Sequence, residues 1–262
     1  MIRDANTHLN IVIAKTGPVL VPTPRWVRAL IGDTFVADSK RVTLVREPGT
    51  LPVFAFPRAD VREDLLIPSG SRRPSPILGP VTDYTIQIDN VRLDNAAWIW
   101  SALAPEHAAL ADHVALRWEA IDHWYEEAEE IFRHPRDPFH RVDAIGSQRH
   151  VRVIHAGEVI AESRRPRLLF ETGHPVRYYL PTEDIRMDFI QPTVSVSRCP
   201  YKGVASYWSI KSDDTHRDIA WAYLDPILEC PSIRGLISFY NERIDTIEVD
   251  GEAIARPQTS GL

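Results

Sequence analysis

The chain has 262 residues, 44% of them apolar and 25% charged, with a formal net charge of −6. That length suits two domains of roughly 100–150 residues, and the composition allows two packed cores. The acidic balance speaks against nucleic acid as a partner, and the longest apolar runs are too short for a membrane helix.

The opening MIRDANTHLNIVIAKTG lacks a signal-peptide layout, so a cytoplasmic protein is expected. Residues 1–24 read as a lead-in, with Leu9, Val12 and Ala14 alternating as an edge strand and Pro18, Pro22 and Pro24 making a linker. From Arg25 onward the chain is compared best with itself. Placing Arg25 on Arg149 and reading without a gap to Ser69 on Thr193 matches Val27, Arg28, Ala37, Ser39, Arg41, Leu44, Glu47, Gly49, Pro57, Asp60, Arg62, Asp64 and Pro68 with identical residues. Chance would supply roughly three identities over such a stretch. After an indel the match resumes with Tyr84 on Tyr207, Ala97-Trp98 on Ala220-Trp221 and Ile121-Asp122 on Ile244-Asp245. The chain is therefore a duplication: a first repeat domain at 25–131, a linker at 132–148 and a second repeat domain at 149–262.

Within a repeat the pattern is mainly β. Residues 151–163 alternate on either side of Ala156-Gly157, a hairpin signal. Strands follow at 167–171 and 176–180, then a short helical turn opened by Pro181 and carrying Glu183 and Asp184. Further strands are expected at 206–211, 219–223 and 244–250. Ile233, Leu236, Ile237 and Tyr240 fall at helical spacing, which predicts one packing helix over Pro231–Tyr240; a longer one is expected over Pro105–Trp118. The fold class is mainly β, a β-rich α+β chain of two homologous antiparallel domains.

The residues RYYLPTEDIRMDFIQPT, RCPYKGVASYWS, IAWAY and SFYNERIDTIEVDG resemble the domain-of-unknown-function family 427, sometimes labelled nucleotidyltransferase-like. The tandem arrangement, with EEAEEIFRHPRDPFHRVD between copies, looks like two-domain actinobacterial members. The resemblance implies a compact fold similar to the Mss4-like or β-tent folds and no agreed activity. Members of that broader group often hold zinc through paired CxxC motifs; with only Cys199 and Cys230, 31 residues apart, this chain has none, and a disulfide framework is not expected either. The transferase label finds no P-loop and no paired acidic residues after a Gly-Ser.

The strongest site signal is Cys199-Pro200-Tyr201-Lys202-Gly203. A thiol beside an ammonium can act as a nucleophile, and Lys202 next to a glycine turn can orient an anion. The bland alternative is a tight turn with a buried cysteine. Cys199 and Lys202 are lost from the first copy, where 72–79 reads Arg-Arg-Pro-Ser-Pro-Ile-Leu-Gly. Asp184 with Arg186 and Asp188 offers an acid or base, but Asp60, Arg62 and Asp64 repeat the set, which favours scaffolding. Tyr179, Tyr201, Tyr207, Trp208 and Trp221 offer aromatic walls; Tyr207 and Trp221 recur as Tyr84 and Trp98, while Tyr179, Tyr201 and Trp208 have no aromatic counterpart and suit either a ligand pocket or a contact between repeats. In the linker, His134, Asp137, His140 and Asp143 have metal-like spacing without identifiable supporting partners, so no metal and no cofactor are expected. The segment is expected instead to contribute His134, Arg136 or His140 to the second domain's pocket.

Lys202, Cys199 and Asp184 are thus the candidate catalytic residues. Tyr179, Arg186, Tyr201, Tyr207, Trp208, Trp221, His134 and His140 are the candidate substrate-binding residues. The expected activity is acid–base or anion-assisted chemistry on a small metabolite, with a metabolite-sensing or protein-interaction module as the alternative. The expected partner is a small-molecule ligand, and the chain can also pair as a homodimer.

Overall fold

The structure, a computed structural model, describes residues 17–211 and 217–257. The expected strand over Leu9, Val12 and Ala14 lies outside the described residues. By internal contacts the chain divides between Asp137 and Pro138. Each unit is built from two antiparallel sheets, and the two units repeat the same strand order.

In the first unit a seven-stranded sheet runs Val19–Pro22, Thr43–Arg46, Val53–Pro57, His113–Leu116, Val91–Trp100, Gly79–Ile88, Leu66–Ser75. A four-stranded sheet runs Glu129–Ile131, His123–Glu126, Val27–Ile31, Thr34–Ser39. The second unit repeats these as Val142–Gly146, Arg167–Glu171, Arg177–Leu180, Ile237–Phe239, Ala220–Pro226, Gly203–Ile210, Ile190–Cys199 and as Glu252–Ala253, Thr246–Val249, Val151–His155, Glu158–Ser163.

The expected hairpin forms, turning at Ala156 (φ 51°) and Gly157 (φ 79°), as two-residue hairpins with left-handed turn residues do. Asp245 Oδ2 accepts from the Ala156 amide at 2.7 Å, and Asp122 Oδ2 accepts from Gly32 at 2.8 Å, so the Ile-Asp identity marks one turn lock used twice.

Strand alternation splits each large sheet into two buried faces. In the second unit Leu168, Tyr178, Leu180, Ala220, Ala222, Ile237 and Phe239 face the four-stranded sheet and form the main core. Leu169, Tyr179, Trp221 and Tyr223 point the opposite way and, with Ala205, Cys230 and Ile233, form a second cluster on the outer face. The candidate site lies on that outer face.

Four expectations are corrected. The packing helices are 3₁₀ turns, Pro105–Leu110 and Pro231–Ile233, each followed by a strand. The helical spacing at 233–240 arises because Ile233 and Leu236 meet the outer cluster from the turn while Ile237 joins the main core from a strand. Gly235, at φ 69°, separates the two. The prolines at 18–24 do not make a linker throughout, because Val19–Pro22 is an edge strand, a position where proline's missing N–H costs nothing. Likewise Val142–Gly146, assigned to the linker, pairs with Arg167–Glu171 as the matching edge strand. Finally, Tyr207 sits opposite Trp221 and Trp208 opposite Ala220, whereas Tyr84 sits opposite Ala97 and Asp83 opposite Trp98. Trp208 is therefore the counterpart of Tyr84, both packed on the main cores, and Tyr207 replaces Asp83.

One glycine holds the hairpin that carries Lys202. Gly203 has φ 105°, and a Cβ there would lie 3.3 Å from both Asp225 O and Ile227 N. Gly203→Ala is expected to lower stability by about 1–3 kcal/mol, read as a shifted denaturant midpoint.

Candidate functional site

The period of two along Arg167–Glu171 puts Arg167, Leu169 and Glu171 on the outer face, so a carboxylate enters an apolar surface. It needs donors there, because an unpaired buried charge is strongly destabilising. Two elements bring them. The hairpin of Ile190–Cys199 and Gly203–Ile210 closes with Cys199 opposite Gly203, leaving Pro200, Tyr201 and Lys202 as its turn. Ile227 N donates to Lys202 O at 3.2 Å and seats the turn, and the Lys202 ammonium donates to Glu171 Oε2. Both side chains are buried. The segment before Val142 brings His140, whose Nε2 lies 3.0 Å from Glu171 Oε1.

Tyr201 stacks on His140 with ring centroids 4.1 Å apart, and His174 meets His140 edge-on at 5.8 Å. His174 Nδ1 lies 3.0 Å from the Thr172 carbonyl. A carboxylate and a carbonyl both only accept here, so in its neutral form each imidazole carries its proton on the bonded nitrogen. That leaves the lone pair of His140 on Nδ1 and that of His174 on Nε2.

Burial pushes the Glu171 carboxyl upward, but the bond from His140, the charge of Lys202 and, whenever its ring is protonated, that of His174 outweigh it and hold the group at about 2, against an ordinary 4.5. Glu171 is thus a fixed anion near neutral pH. The donor atoms of His140, Glu171 and His174 lie within 4.8 Å of one another, a set that can gather around a divalent ion. Lys202 already neutralises the carboxylate, so charge balance calls for no cation.

The first unit keeps the glutamate and changes its partners. Glu47, buried at the equivalent strand end, accepts from Ser75 Oγ, from Ile77 N at 2.7 Å and from Leu78 N at 3.0 Å. Ser75 stands where the second unit has Cys199, and buried Leu78 where it has Lys202. The turn itself serves as donor once the lysine is gone.

The structure sorts the expected residues. Lys202, Tyr201 and His140 meet at Glu171. Tyr179, Trp221 and Tyr207 share the outer cluster, where the Trp221 indole N–H donates to the Tyr179 hydroxyl at 2.9 Å and Tyr207 bonds Ser197 at 2.6 Å. Burial pushes the Tyr179 hydroxyl far above the usual phenol range. Cys199 lines the same cluster, half-buried, but the ammonium turns to Glu171 rather than to its thiol. Trp208 packs on the other face. Asp184 accepts from Ser163 Oγ at 2.7 Å and from Arg165, as Asp60 does from Ser39 and Arg41, so it ties a turn to the small sheet in both copies. Arg186 pairs with Asp188 on the surface and lies over the Phe189 ring. His134 falls in the first unit by contacts, its Nδ1 2.8 Å from Pro135 O. Glu171 and His174 were not among the expected site residues. The Glu47–Glu171 identity carried the signal for the former, as an acid retained at an apolar strand end; nothing in the pattern marks His174.

Two measurements test the glutamate's role. Its folded-state titration lies below the unfolded one, so its stabilisation, about 3 kcal/mol, is present above pH 4.5 and lost as pH falls toward 2. Acid titration of stability should therefore be flatter over that window in Glu171→Gln, which also leaves the Lys202 ammonium buried and unpaired at a cost of about 3–5 kcal/mol. Lys202→Leu should recover about 1 kcal/mol when combined with Cys199→Ser, because the pair recreates the Ser75 and Leu78 arrangement; denaturant midpoints read the difference.

A family model described as "Domain of unknown function (DUF427)", NTP_transf_9, matches the chain twice, over residues 19–127 and 143–250. Both matches begin at or within the edge strands Val19–Pro22 and Val142–Gly146. None of the curated proteins matches the chain. Among the described residues no helix is long and apolar enough to cross a membrane. With most of its length matched in two consecutive segments, the chain belongs to the DUF427 family as a tandem two-copy member.

Proposed function

We propose that the second unit binds a small molecule at the Glu171 cluster and acts on it by proton transfer, with His140 as the catalytic base. The observation that carries this reading is the pair of solutions to one buried carboxylate. The first copy satisfies Glu47 with its own turn, whereas the second engages a lysine and an imidazole and leaves a nitrogen lone pair available beside them.

In this reading Glu171 holds the His140 ring and its tautomer, so Nδ1 faces outward as acceptor. When Nδ1 takes a proton from the ligand, Glu171 lies against the resulting imidazolium and stabilises it. Lys202 is a positioning residue: its charge goes to Glu171, which replaces the anion-orienting role expected of it. Tyr201 fixes the opposite face of the ring, and His174 supplies a second basic nitrogen within reach of the same ligand. Asp184 stays outside the chemistry. A cytoplasmic setting and an actinobacterial source belong to the same proposal, the latter resting on the tandem arrangement.

A thermal-shift screen of small metabolites against the full chain tests the proposal, since a ligand that binds the native state raises the midpoint by mass action. Any hit should lose turnover at least tenfold in His140→Ala, while Asp184→Asn changes stability only. Full turnover by His140→Ala would end the acid–base reading; a midpoint shift without turnover would leave a metabolite-sensing module.

A further inference from the structure

Arg167 is unlike the other arginines of the outer face. It shares a strand face with Glu171 but lies four residues earlier, about 13 Å away at ~3.3 Å per residue, with Leu169 of the apolar cluster between them. Its Nη1 donates to the Ala144 carbonyl at 3.0 Å, and among the described residues it bonds no carboxylate. A guanidinium stays charged at any ordinary pH, so this half-buried cation has no bonded counter-anion among the described residues. Its Nη2 end lies beside Gly146, where a Cβ would come within 3.9 Å of it and the glycine places none.

Arg167 lines an open groove of about 720 Å³. Arg165 and Arg234 stand at its wall, and Pro166, Pro181 and Leu236 supply apolar surface. Among the described residues Arg234 pairs only with Asp225, at 2.7 Å, and both side chains are more than half exposed. Such a pair contributes little and exchanges readily with a better-placed anion. Arg165 remains tied to Glu183 and Asp184, so its charge is already taken up by the scaffold and Arg167 and Arg234 are the cations open to a ligand.

The internal copy sharpens the point. Thr43 occupies the position of Arg167 and Ala111 that of Arg234, while Arg41 matches Arg165. The scaffold arginine is shared; the two without a scaffold duty occur only in the copy that also carries Lys202 and Tyr201.

We infer that this groove is an oxyanion site, with Arg167 as its anchor, taking the phosphate or carboxylate group of a small organic anion. The planar fork of Arg167 offers paired N–H donors to two oxygens of the anion, Arg234 swings from Asp225 to a third, and the ligand's apolar part lies on Pro166, Pro181 and Leu236. The site is separate from the Glu171 cluster and stands whether or not proton transfer occurs there.

Titration calorimetry on the full chain at constant ionic strength tests it, with inorganic phosphate, pyrophosphate and citrate as probes and chloride as the control. Saturable one-to-one binding of at least one oxyanion is expected. Phosphate or pyrophosphate outbinding citrate assigns a phosphate ligand, and the reverse order a carboxylate one. Arg167→Met, with an unchanged melting temperature, should weaken binding at least tenfold and Arg167→Lys by less, because a lysine keeps the charge and loses the fork. Arg234→Ala, on the surface, should weaken it about threefold and serves if Arg167→Met fails to fold. No saturable binding, or binding that neither Arg167→Met nor Arg234→Ala alters, overturns the site.

Discussion

A carboxylate at the end of an inner strand governs the outer face of each unit. Glu47 and Glu171 project from the second strand of their large sheets into a surface otherwise filled by apolar side chains. A buried charge must find donors, so the turn that follows the hairpin's long outer strand is brought against it in both copies. That shared demand explains why Pro76 and Pro200, and Gly79 and Gly203, keep the turn's shape while the residues between them change. Geometry is held constant and donor chemistry varies.

The two solutions have different consequences. When backbone amides and a serine satisfy Glu47, every donor belongs to the turn, and the position facing the core can be an aliphatic residue, Leu78. When Lys202 and His140 satisfy Glu171, a long cation and an imidazole from a separate segment must converge. Pairing two buried groups this way gives no clear stability advantage over the simpler arrangement, since desolvation opposes the attraction. Its presence in one copy only is the reason the proposed function is assigned to the second unit rather than the first.

Much of the fold could be read from the chain because duplication doubled every signal. The hairpin at Ala156-Gly157, the Pro181 turn and the strand at 167–171 appear where alternation and turn residues placed them. The helix expected at 231–240 did not form, because a 3₁₀ turn followed by a strand reproduces helical spacing over one short window. The one-residue slip at Tyr207 and Trp208 had a similar origin: two adjacent aromatics point to opposite faces, and only pairing across the sheet decides which matches Tyr84. For the site, the private loop was readable and so was His140 as a visitor from the preceding segment. Glu171 was hidden because a residue present in both copies looks structural, and the two copies differ only in the partners that meet it.

The aromatic wall behind the site follows from the same logic. Tyr179, Tyr207 and Tyr240 bring hydroxyls to a face where the first unit has Ala55, Asp83 and Arg117. The Tyr179 hydroxyl is met by Trp221 and that of Tyr207 by Ser197, while Arg177, held by Glu242 at 2.8 and 2.9 Å, lies over both Trp221 and Tyr240. A face built from directional bonds resists small shifts better than one built from aliphatic contacts alone, because each bond has a narrow range of good geometry. Leu169 and Tyr179 belong to that face, and it separates Glu171 at one end of the strand from Arg167 at the other. The network thus keeps two charged groups of opposite sign on one strand at a set spacing, the anion satisfied from within and the cation left open to a groove.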